Sequence, residues 1–263
     1  MWIWLLRTLV LTLFILPLGA QASDLSFLQA YKLLIVSGTL ESGGPLKETQ
    51  FLAEALKREG FMKSVDYDYI VTDSHETSAY AARDVVKSIR ESVRPILVWS
   101  QDKGSADVLE ALIRFPEMQN KVKGFISYRG IIGGSPKADK APKPLSHYQL
   151  QKSQIVPLSL AFSRLWIWLK SFTHEVSYVL YSLSSFQRNK YLKENKEKIE
   201  NIKTQILFVG YEDEPWSILK SHPYLILSKS AQSSKDPLLA LRRFKNFYQI
   251  DNQSSTQMSF SKN

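Results

Sequence analysis

Short apolar runs alternate with helical patterns along most of this chain, and this alternation restricts its fold more than any other feature. The runs are bounded by turn residues, as expected of strands buried on both faces of a parallel sheet. The candidate strands lie at 32–37, 67–71, 95–99, 122–128, 205–209 and 224–227. Helical patterns between strands predict βαβ units, and therefore an α/β protein with a doubly wound, mainly parallel sheet.

Three stretches between the strands carry apolar residues at helical spacing. Pro45 suits the first turn of one helix, and Gly60 is a natural stop for it. A second helix is predicted over about 78–90, and a third ends at Phe115 and Pro116. The predicted apolar faces contain Leu46, Phe51, Leu52, Ala55 and Leu56 in the first helix, Ala81, Ala82, Val85, Val86 and Ile89 in the second, and Ala106, Leu109, Leu112 and Ile113 in the third.

Several segments depart from this alternation. Residues 133–144 are rich in glycine, proline and lysine and predict a loop, whereas 155–183 are unusually apolar. We interpret the apolar segment as helical hairpins within a cap insertion of about 140–200, whose rim either contacts lipid or an acyl chain or packs onto the domain. The lysine- and glutamate-rich stretch 189–203 predicts a solvated helix face, and the polar tail 251–263 predicts disorder.

Residues 1–22 have the layout of a secretory signal peptide. Arg7 closes a short first region, an apolar run covers 8–18, and residues 19–22 contain an A-x-A cleavage signal. An uncleaved anchor is the alternative, but the run is short for a membrane span. We therefore expect an exported, periplasmic or secreted protein that consists of one domain, 23–263, and keeps no transmembrane span after the signal is removed.

The chain has no cysteine, which excludes disulfides, thiol nucleophiles and cysteine zinc sites. An exported protein of this size without disulfides is more typical of a bacterial envelope than of a eukaryotic secretory pathway. The four histidines stand too far apart for metal-ligand spacing, so we expect neither a metal nor a cofactor. These histidines are His75, His147, His174 and His222.

The formal net charge of +9 loses one positive charge when Arg7 leaves with the signal. On an exported protein such a charge favours anionic lipid or polysaccharide surfaces over nucleic acid as partners. A basic, solvated surface without a dedicated partner is the alternative. Nothing in the sequence predicts an oligomeric state.

The segment after the third predicted strand carries the clearest chemical signal. Residues 100–104, SQDKG, fit the pattern small-x-nucleophile-x-small between a buried strand and an apolar-striped helix. Such a turn forces its central residue, here Asp102, into a strained backbone conformation. Its neighbours must be small because strand and helix approach closely, and Ser100, Gly104 and Ser105 meet that demand.

Three segments resemble α/β-hydrolases related to bacterial lipases and esterases. Residues 96–112, ILVWSQDKGSADVLEAL, resemble the serine-lysine-glycine-glycine elbow of those proteins. Residues 123–139, KGFISYRGIIGGSPKAD, are similar to their next strand and GSP-x-AD loop, and 34–40, LIVSGTL, to the strand and loop that supply an oxyanion-hole N–H. The resemblance implies the α/β-hydrolase fold with a helical cap, and a serine-acid-histidine triad that acts on esters.

The position of the family's serine is occupied by Asp102. The oxyanion donors implied by the resemblance are the backbone N–H groups of Lys103 and of Thr39 or Leu40, which require no particular side chain. A carboxylate attacks an sp³ carbon to give an ester, but its attack on an acyl ester gives an uphill mixed anhydride. Asp102 therefore argues against ordinary esterase or lipase chemistry.

The other triad members are incomplete as well. The candidate acids are Asp213, after the fifth strand, and Asp236, in a weak echo of an asparagine-aspartate-glycine motif. The histidine should follow the acid, but no histidine follows His222, so Asp236 has none downstream. His222 follows Asp213 too closely to leave room for the intervening helix and strand. The triad is not intact.

These residues support two main hypotheses. In the favoured one, Asp102 is a helix N-terminal carboxylate among the backbone N–H groups of an old anion site. The protein is then inactive as an esterase or lipase and binds a lipid, an acyl ester or an envelope polymer. In the alternative, Asp102 is the nucleophile of an active hydrolase similar to haloalkane dehalogenases and epoxide hydrolases, with His222 activating water and Asp213 orienting it. An enzyme that uses other residues is a third possibility.

Overall fold

A computed structural model of the chain describes residues 25–38, 47–73, 76–140, 178–209 and 225–227, together with 238, 240–242 and 244–245. The predicted signal segment 1–22, most of the predicted cap and the tail 251–263 lie outside the described residues.

The strands form one six-stranded sheet in which every neighbouring pair is parallel. Its spatial order is β2-β1-β3-β4-β5-β6. The strands are β1 (Lys32–Gly38), β2 (Tyr67–Thr72), β3 (Ile96–Asp102), β4 (Val122–Tyr128), β5 (Gln205–Val209) and β6 (Leu225–Leu227). The predicted doubly wound, mainly parallel sheet is confirmed, and the strand predictions agree with the structure except that β3 runs on to Asp102.

Helices connect the strands where the amphipathic patterns predicted them. The described helices are α1 (Lys47–Arg58), α2 (Ser78–Glu91), α3 (Lys103–Arg114), α4 (Pro136–Asp139), α5 (Ser185–Glu194) and α6 (Lys196–Glu200). Short 3₁₀ helices cover Ser26–Ala30 and Pro116–Asn120. Residues 178–182 are helical, as are the described residues between 238 and 245.

Both faces of the sheet are covered, because successive side chains of a strand point to opposite faces. One face packs α2, α3, α5 and α6 against alternate strand residues, including Val36, Val98 and Phe125. The other face packs the first 3₁₀ helix, α1 and the C-terminal helical residues against the intervening ones, including Ile35 and Trp99. The two apolar layers cover the faces of the sheet but not the carboxyl ends of its strands. In open α/β folds, ligands bind at these carboxyl ends.

Three predictions about particular segments need correction. Phe51 was expected on the buried face of the first helix, but it is 44% exposed. It lies beside the buried stripe of Leu52, Ala55 and Leu56. The guanidinium carbon of Arg58 lies over its ring, 5.9 Å from the ring centroid. The predicted loop 133–144 contains the short helix α4, and its residues after 140 lie outside the described ranges.

The stretch 189–203 is not one solvated helix face but the end of α5 followed by α6. Its lysine and glutamate side chains are exposed, whereas Leu192 and Ile199 are buried in the core beneath them. Within the predicted cap, Val179 and Leu183 pack against Ala106 of α3. The described part of the cap end therefore rests on the helix that follows β3.

Among the residues that the structure describes, we find no helix with the length and apolar character that a membrane crossing requires.

Candidate active site

Asp102 lies at a sharp turn between β3 and α3, with no residue between strand and helix. Its backbone angles are φ 53° and ψ −130°, in a region that residues other than glycine rarely adopt. Such a conformation costs about 1–3 kcal/mol and persists only where the surroundings hold it in place. The strained turn predicted from the sequence at this position is therefore present in the fold.

Gly104 shows what holds the turn so tightly. A Cβ placed on this glycine would lie 2.6 Å from the Val36 carbonyl oxygen and 3.1 Å from the backbone nitrogen of Gly38. The start of α3 thus meets the end of β1 at backbone distance, and no flexible side chain can yield there. This contact is the physical reason for the small residue predicted at position 104.

The serines that flank the turn do more than occupy little space. The Ser100 and Ser105 hydroxyl oxygens lie 2.7 Å apart, and Ser100 also donates to the Ile126 carbonyl oxygen at 3.2 Å. Both serines are buried. They join β3, β4 and α3 directly beneath Asp102.

The Asp102 carboxylate does not cap α3, because it accepts no hydrogen bond from the first turn of the helix. Asp102 stands at the N-terminus of a helix, where the sequence predicted it. Its backbone carbonyl accepts a hydrogen bond from the Ile131 N–H at 3.1 Å. The side chain is partly exposed at the carboxyl edge of the sheet.

Most of the predicted partners of Asp102 belong to parts of the chain outside the described residues. Thr39, Leu40, Asp213, His222 and the alternative acid Asp236 lie outside the described residues. The same holds for the three remaining histidines, His75, His147 and His174. The roles assigned to these residues stay predictions, as does the role of the Lys103 N–H as an oxyanion donor.

The Lys103 side chain turns away from the site into the core. Its ammonium group contacts the Asp107 carboxylate at 2.9 Å, and both side chains are 0% exposed. The spacing i, i+4 places the two groups on the same side of α3. Burying an ion pair costs several kcal/mol of desolvation for each ion, so the pair persists only with good geometry. Lys103 therefore contributes at most its backbone to chemistry at position 102.

A second buried charge cluster escaped the sequence analysis. Glu110 of α3 is buried and pairs with Arg114, and Arg188 of α5 is only 4% exposed. Burial lowers the pKa of Arg188, while the charges of Tyr191, Glu110 and Asp107 act in the opposite direction. Burial, followed by the charge of Glu110, raises the pKa of Tyr191. The spacing of Glu110 and Arg114 was a usable signal for one pair, but no local signal marked Arg188.

Arg129 is a further residue that sequence reasoning missed. It follows β4 directly, has φ 50°, and pairs with Glu48 of α1 at 3.3 Å. Its guanidinium also lies 5.5 Å from the Tyr128 ring centroid. Nearby, the Thr49 hydroxyl donates to the Gln101 side-chain oxygen at 3.3 Å. Polar side chains thus line the carboxyl ends of β3 and β4 next to Asp102.

The described residues contain no group of three or more histidine, aspartate or glutamate side chains that could hold a metal ion.

No protein-family model matches the chain, and no curated protein sequence matches it. The fold is similar to that of the metagenomic carboxyl esterase MGS0156, with 20% identity over 69% of this chain and 50% of that chain and a TM-score of 0.43. It is similar to the mature Bacillus licheniformis lipase BlEst2, with 17% identity over 68% of this chain and 64% of that chain and a TM-score of 0.41.

A third similar structure is MGS-MChE2, an alpha/beta hydrolase enzyme from the metagenome of lagoon sediments at Mar Chica, Morocco. The identity is 11%, the match covers 84% of this chain and 92% of that chain, and the TM-score is 0.48. The chain thus spans 50% of the length of the esterase and 64% of the lipase. The described residues themselves show a doubly wound parallel sheet and a strained strand-to-helix turn after β3, two features that the resemblance to α/β-hydrolases predicted.

Proposed function

We propose that this protein is an α/β-hydrolase-fold protein that does not hydrolyse acyl esters by serine chemistry and that instead binds a lipid, an acyl ester or an anionic envelope surface. One observation carries the proposal: a carboxylate, on Asp102, occupies the strained turn between β3 and α3. In the enzymes that the sequence resembles, this turn presents a serine hydroxyl.

The chemistry of a carboxylate supports the loss of acyl transfer. Its attack on an acyl ester gives a mixed anhydride, which lies uphill of the ester. A negative charge at position 102 also repels the oxyanion that backbone N–H donors would have to stabilise beside it. Both effects lower the rate of ester hydrolysis even if a histidine is supplied.

A p-nitrophenyl butyrate assay tests this part of the proposal. The wild type should release p-nitrophenol no faster than Asp102→Asn, and a fluorophosphonate probe should label neither protein. Turnover by the wild type that disappears in Asp102→Asn would contradict the loss of acyl transfer. Lys190→Met, which changes an exposed side chain of α5, is the matched control for handling and folding.

The ligand class rests on two features of the sequence. The segment 155–183 is unusually apolar, and the chain carries a formal net charge of +9. An apolar surface beside positive charge binds anionic amphiphiles better than neutral ones. In co-sedimentation, more protein should bind phosphatidylglycerol vesicles than phosphatidylcholine vesicles, and deletion of 155–183 should abolish the difference. Equal binding to both vesicles would contradict this assignment.

A second candidate function is hydrolysis at an sp³ carbon with Asp102 as nucleophile. The observation in its favour is that a carboxylate stands at the strained strand-to-helix turn after β3, where the residue is partly exposed. A mono-alkylated Asp102 peptide, found by mass spectrometry after incubation with 1-bromohexane or an epoxide, would support this function. Accumulation of that ester in His222→Gln, with turnover in the wild type, would identify His222 as the residue that activates water.

We also propose that the protein is exported to the periplasm or secreted. The signal-peptide layout of residues 1–22 supports this. N-terminal sequencing of the protein from expressing bacteria should find Ser23 as the first residue, and a start at Met1 would contradict export by cleavage.

A further inference from the structure

The loop after β4, which begins at Gly130, is hydrogen-bonded both to the turn at Asp102 and to helix α5. At one end of this loop the Ile131 N–H donates to the Asp102 carbonyl oxygen at 3.1 Å. At the next residue the Ile132 carbonyl oxygen accepts a hydrogen bond from Nε of Arg188 at 2.9 Å. Two consecutive residues therefore link the Arg188 guanidinium to the backbone of Asp102.

The far end of the loop is fastened to the start of α5. Asp139 accepts hydrogen bonds from the Ser185 backbone N–H at 2.6 Å and from its hydroxyl at 2.7 Å. The Ser135 N–H donates to the Leu183 carbonyl oxygen at 3.0 Å. Gly134 has φ 112°, and a Cβ on it would lie 2.3 Å from the Ser185 Cα. The loop and α5 thus form one packed unit, which we call the bracket (residues 130–139 and 183–188).

The bracket packs against α3, the helix that follows Asp102, through apolar contacts. Ile131 and Ala138 of the bracket form a buried cluster with Ala106 of α3, together with Val179 and Leu183. Ala106 lies four residues after Asp102 in the first turns of α3. The bracket therefore contacts both the Asp102 backbone and the first turns of α3.

Arg188 is an unusual residue for a purely structural contact. It is 4% exposed, and its guanidinium lies 4.7 Å from the Tyr191 ring centroid. Within the described part of the chain, its Nη2 has no hydrogen-bond partner. An apolar side chain at such a site is often as stabilising as a buried charge, or more so. The charges of Glu110 and Asp107 on α3 act on the buried guanidinium, and a buried charge is favourable only where such partners are present.

We infer that Arg188 is a positioning residue, which holds the strained turn at Asp102 through Ile131 and Ile132. It does not touch a ligand, and its effect is on the direction and environment of the side chain at position 102. This inference is independent of whether the protein hydrolyses or only binds its ligand.

A thiol introduced at position 102 reports on this environment without any knowledge of the substrate. The chain has no cysteine, so Asp102→Cys contains a single thiol. A thiol at a helix N-terminus has a lowered pKa and reacts quickly with iodoacetamide near neutral pH. We measure the alkylation rate from pH 5 to 10, and thus the thiol pKa, in Asp102→Cys and in the same protein with Arg188→Met, Arg188→Lys or Lys190→Met.

Loss of Arg188 should raise the thiol pKa and slow alkylation at pH 7 about tenfold, because the turn no longer aligns the thiol with the helix start. Arg188→Lys should restore part of the rate. Lys190→Met, which changes an exposed side chain on the same helix, should leave the rate within twofold. A folded Arg188→Met protein with an unchanged thiol pKa and alkylation rate would overturn the inference, since a merely structural role lowers stability alone.

Two milder variants decide the question if Arg188→Met does not fold. Asp139→Asn and Ser185→Ala weaken exposed hydrogen bonds of the same bracket and leave the buried charges in place. Each should slow alkylation at position 102 in the same direction, by a smaller factor. An unchanged rate in both folded variants would overturn the inference equally.

Discussion

Asp102 combines backbone strain and a carboxylate at one position, at the end of β3. Its φ of 53° is held by the close approach of α3 to β1 and by the hydrogen bond from Ile131 to its carbonyl oxygen. Strain of this kind gathers at functional sites, where it presents a side chain that an ordinary strand would point into the core. Among the described residues, Asp102 is therefore the one whose backbone and side chain most directly define the candidate site.

Replacing Asp102 by glycine should stabilise the fold relative to alanine. Glycine adopts positive φ without the Cβ penalty, so Asp102→Gly should exceed Asp102→Ala in unfolding free energy by about 1 kcal/mol in urea titrations. At Lys87, an exposed position of α2, the order should reverse, with alanine about 1 kcal/mol better than glycine. Equal stability of the two substitutions at position 102 would show that the turn is not strained.

Gly104→Ala should destabilise the fold through a backbone clash. The new Cβ would lie 2.6 Å from the Val36 carbonyl oxygen, and relief requires movement of β1 or α3. Forcing a methyl group into such a contact costs about 1–3 kcal/mol, measurable by urea denaturation. Gly60→Asn is the control, because a Cβ there meets no atom of the described residues within 4 Å and asparagine tolerates positive φ. An effect no larger than the control would refute the close approach.

At the scale of elements, α3 is the central support of the site. All of its residues from Lys103 to Ile113 are buried, including Lys103, Asp107 and Glu110. Sheet, α2, α5 and the cap end cover it from different sides. A helix buried all round is normally apolar, so its charged residues must be matched by partners on the same helix or on α5.

The Lys103–Asp107 pair should show strong coupling in a double-mutant cycle. Lys103→Met leaves the Asp107 carboxylate buried without its partner and should cost about 3–5 kcal/mol of unfolding free energy. Lys103→Met with Asp107→Leu removes both charges and should recover most of this loss. The exposed pair of Lys196 and Glu200 has the same i, i+4 spacing, and its coupling should be about 0.3–0.5 kcal/mol. Equal coupling of both pairs would mean that water reaches Lys103.

At the scale of the whole molecule, the sheet separates two apolar layers, and different segments of the chain complete each layer. The layer on the α1 face is completed by Ala240, Leu241 and Phe244, far in sequence from the strands they cover. Since two packed layers around one sheet form a cooperative unit, removal of a late contact should weaken the entire fold rather than one end of it.

Phe244→Ala tests this cooperativity. Phe244 is 1% exposed, and its truncation should cost about 3–5 kcal/mol by leaving a cavity against the sheet. Unfolding should stay a single transition when followed by both tryptophan fluorescence and far-UV circular dichroism. Phe186→Ala, at a phenylalanine that is 68% exposed, should change stability by less than about 0.5 kcal/mol. Two separate transitions in Phe244→Ala would contradict a single cooperative core.

Local patterns sufficed for the strands and helices near the site. The apolar runs at 32–37, 122–128 and 205–209 end within one residue of β1, β4 and β5. The small residues around Asp102 also predicted its strained backbone, because a strand and a helix that pack this closely leave no room for larger side chains. The partly exposed Phe51 shows the limit, since helical spacing alone did not distinguish the edge of a stripe from its centre.

The sequence by itself determined the α/β alternation and the carboxylate at the turn, because both follow from residues adjacent in the chain. Only the tertiary structure decided that Lys103, Asp107 and Glu110 are buried and that Arg188 is buried among the charges of that helix. A polar residue on an amphipathic helix is solvated unless a distant segment covers it. Here α5 and the residues before it, more than 60 positions after α3, supply that cover.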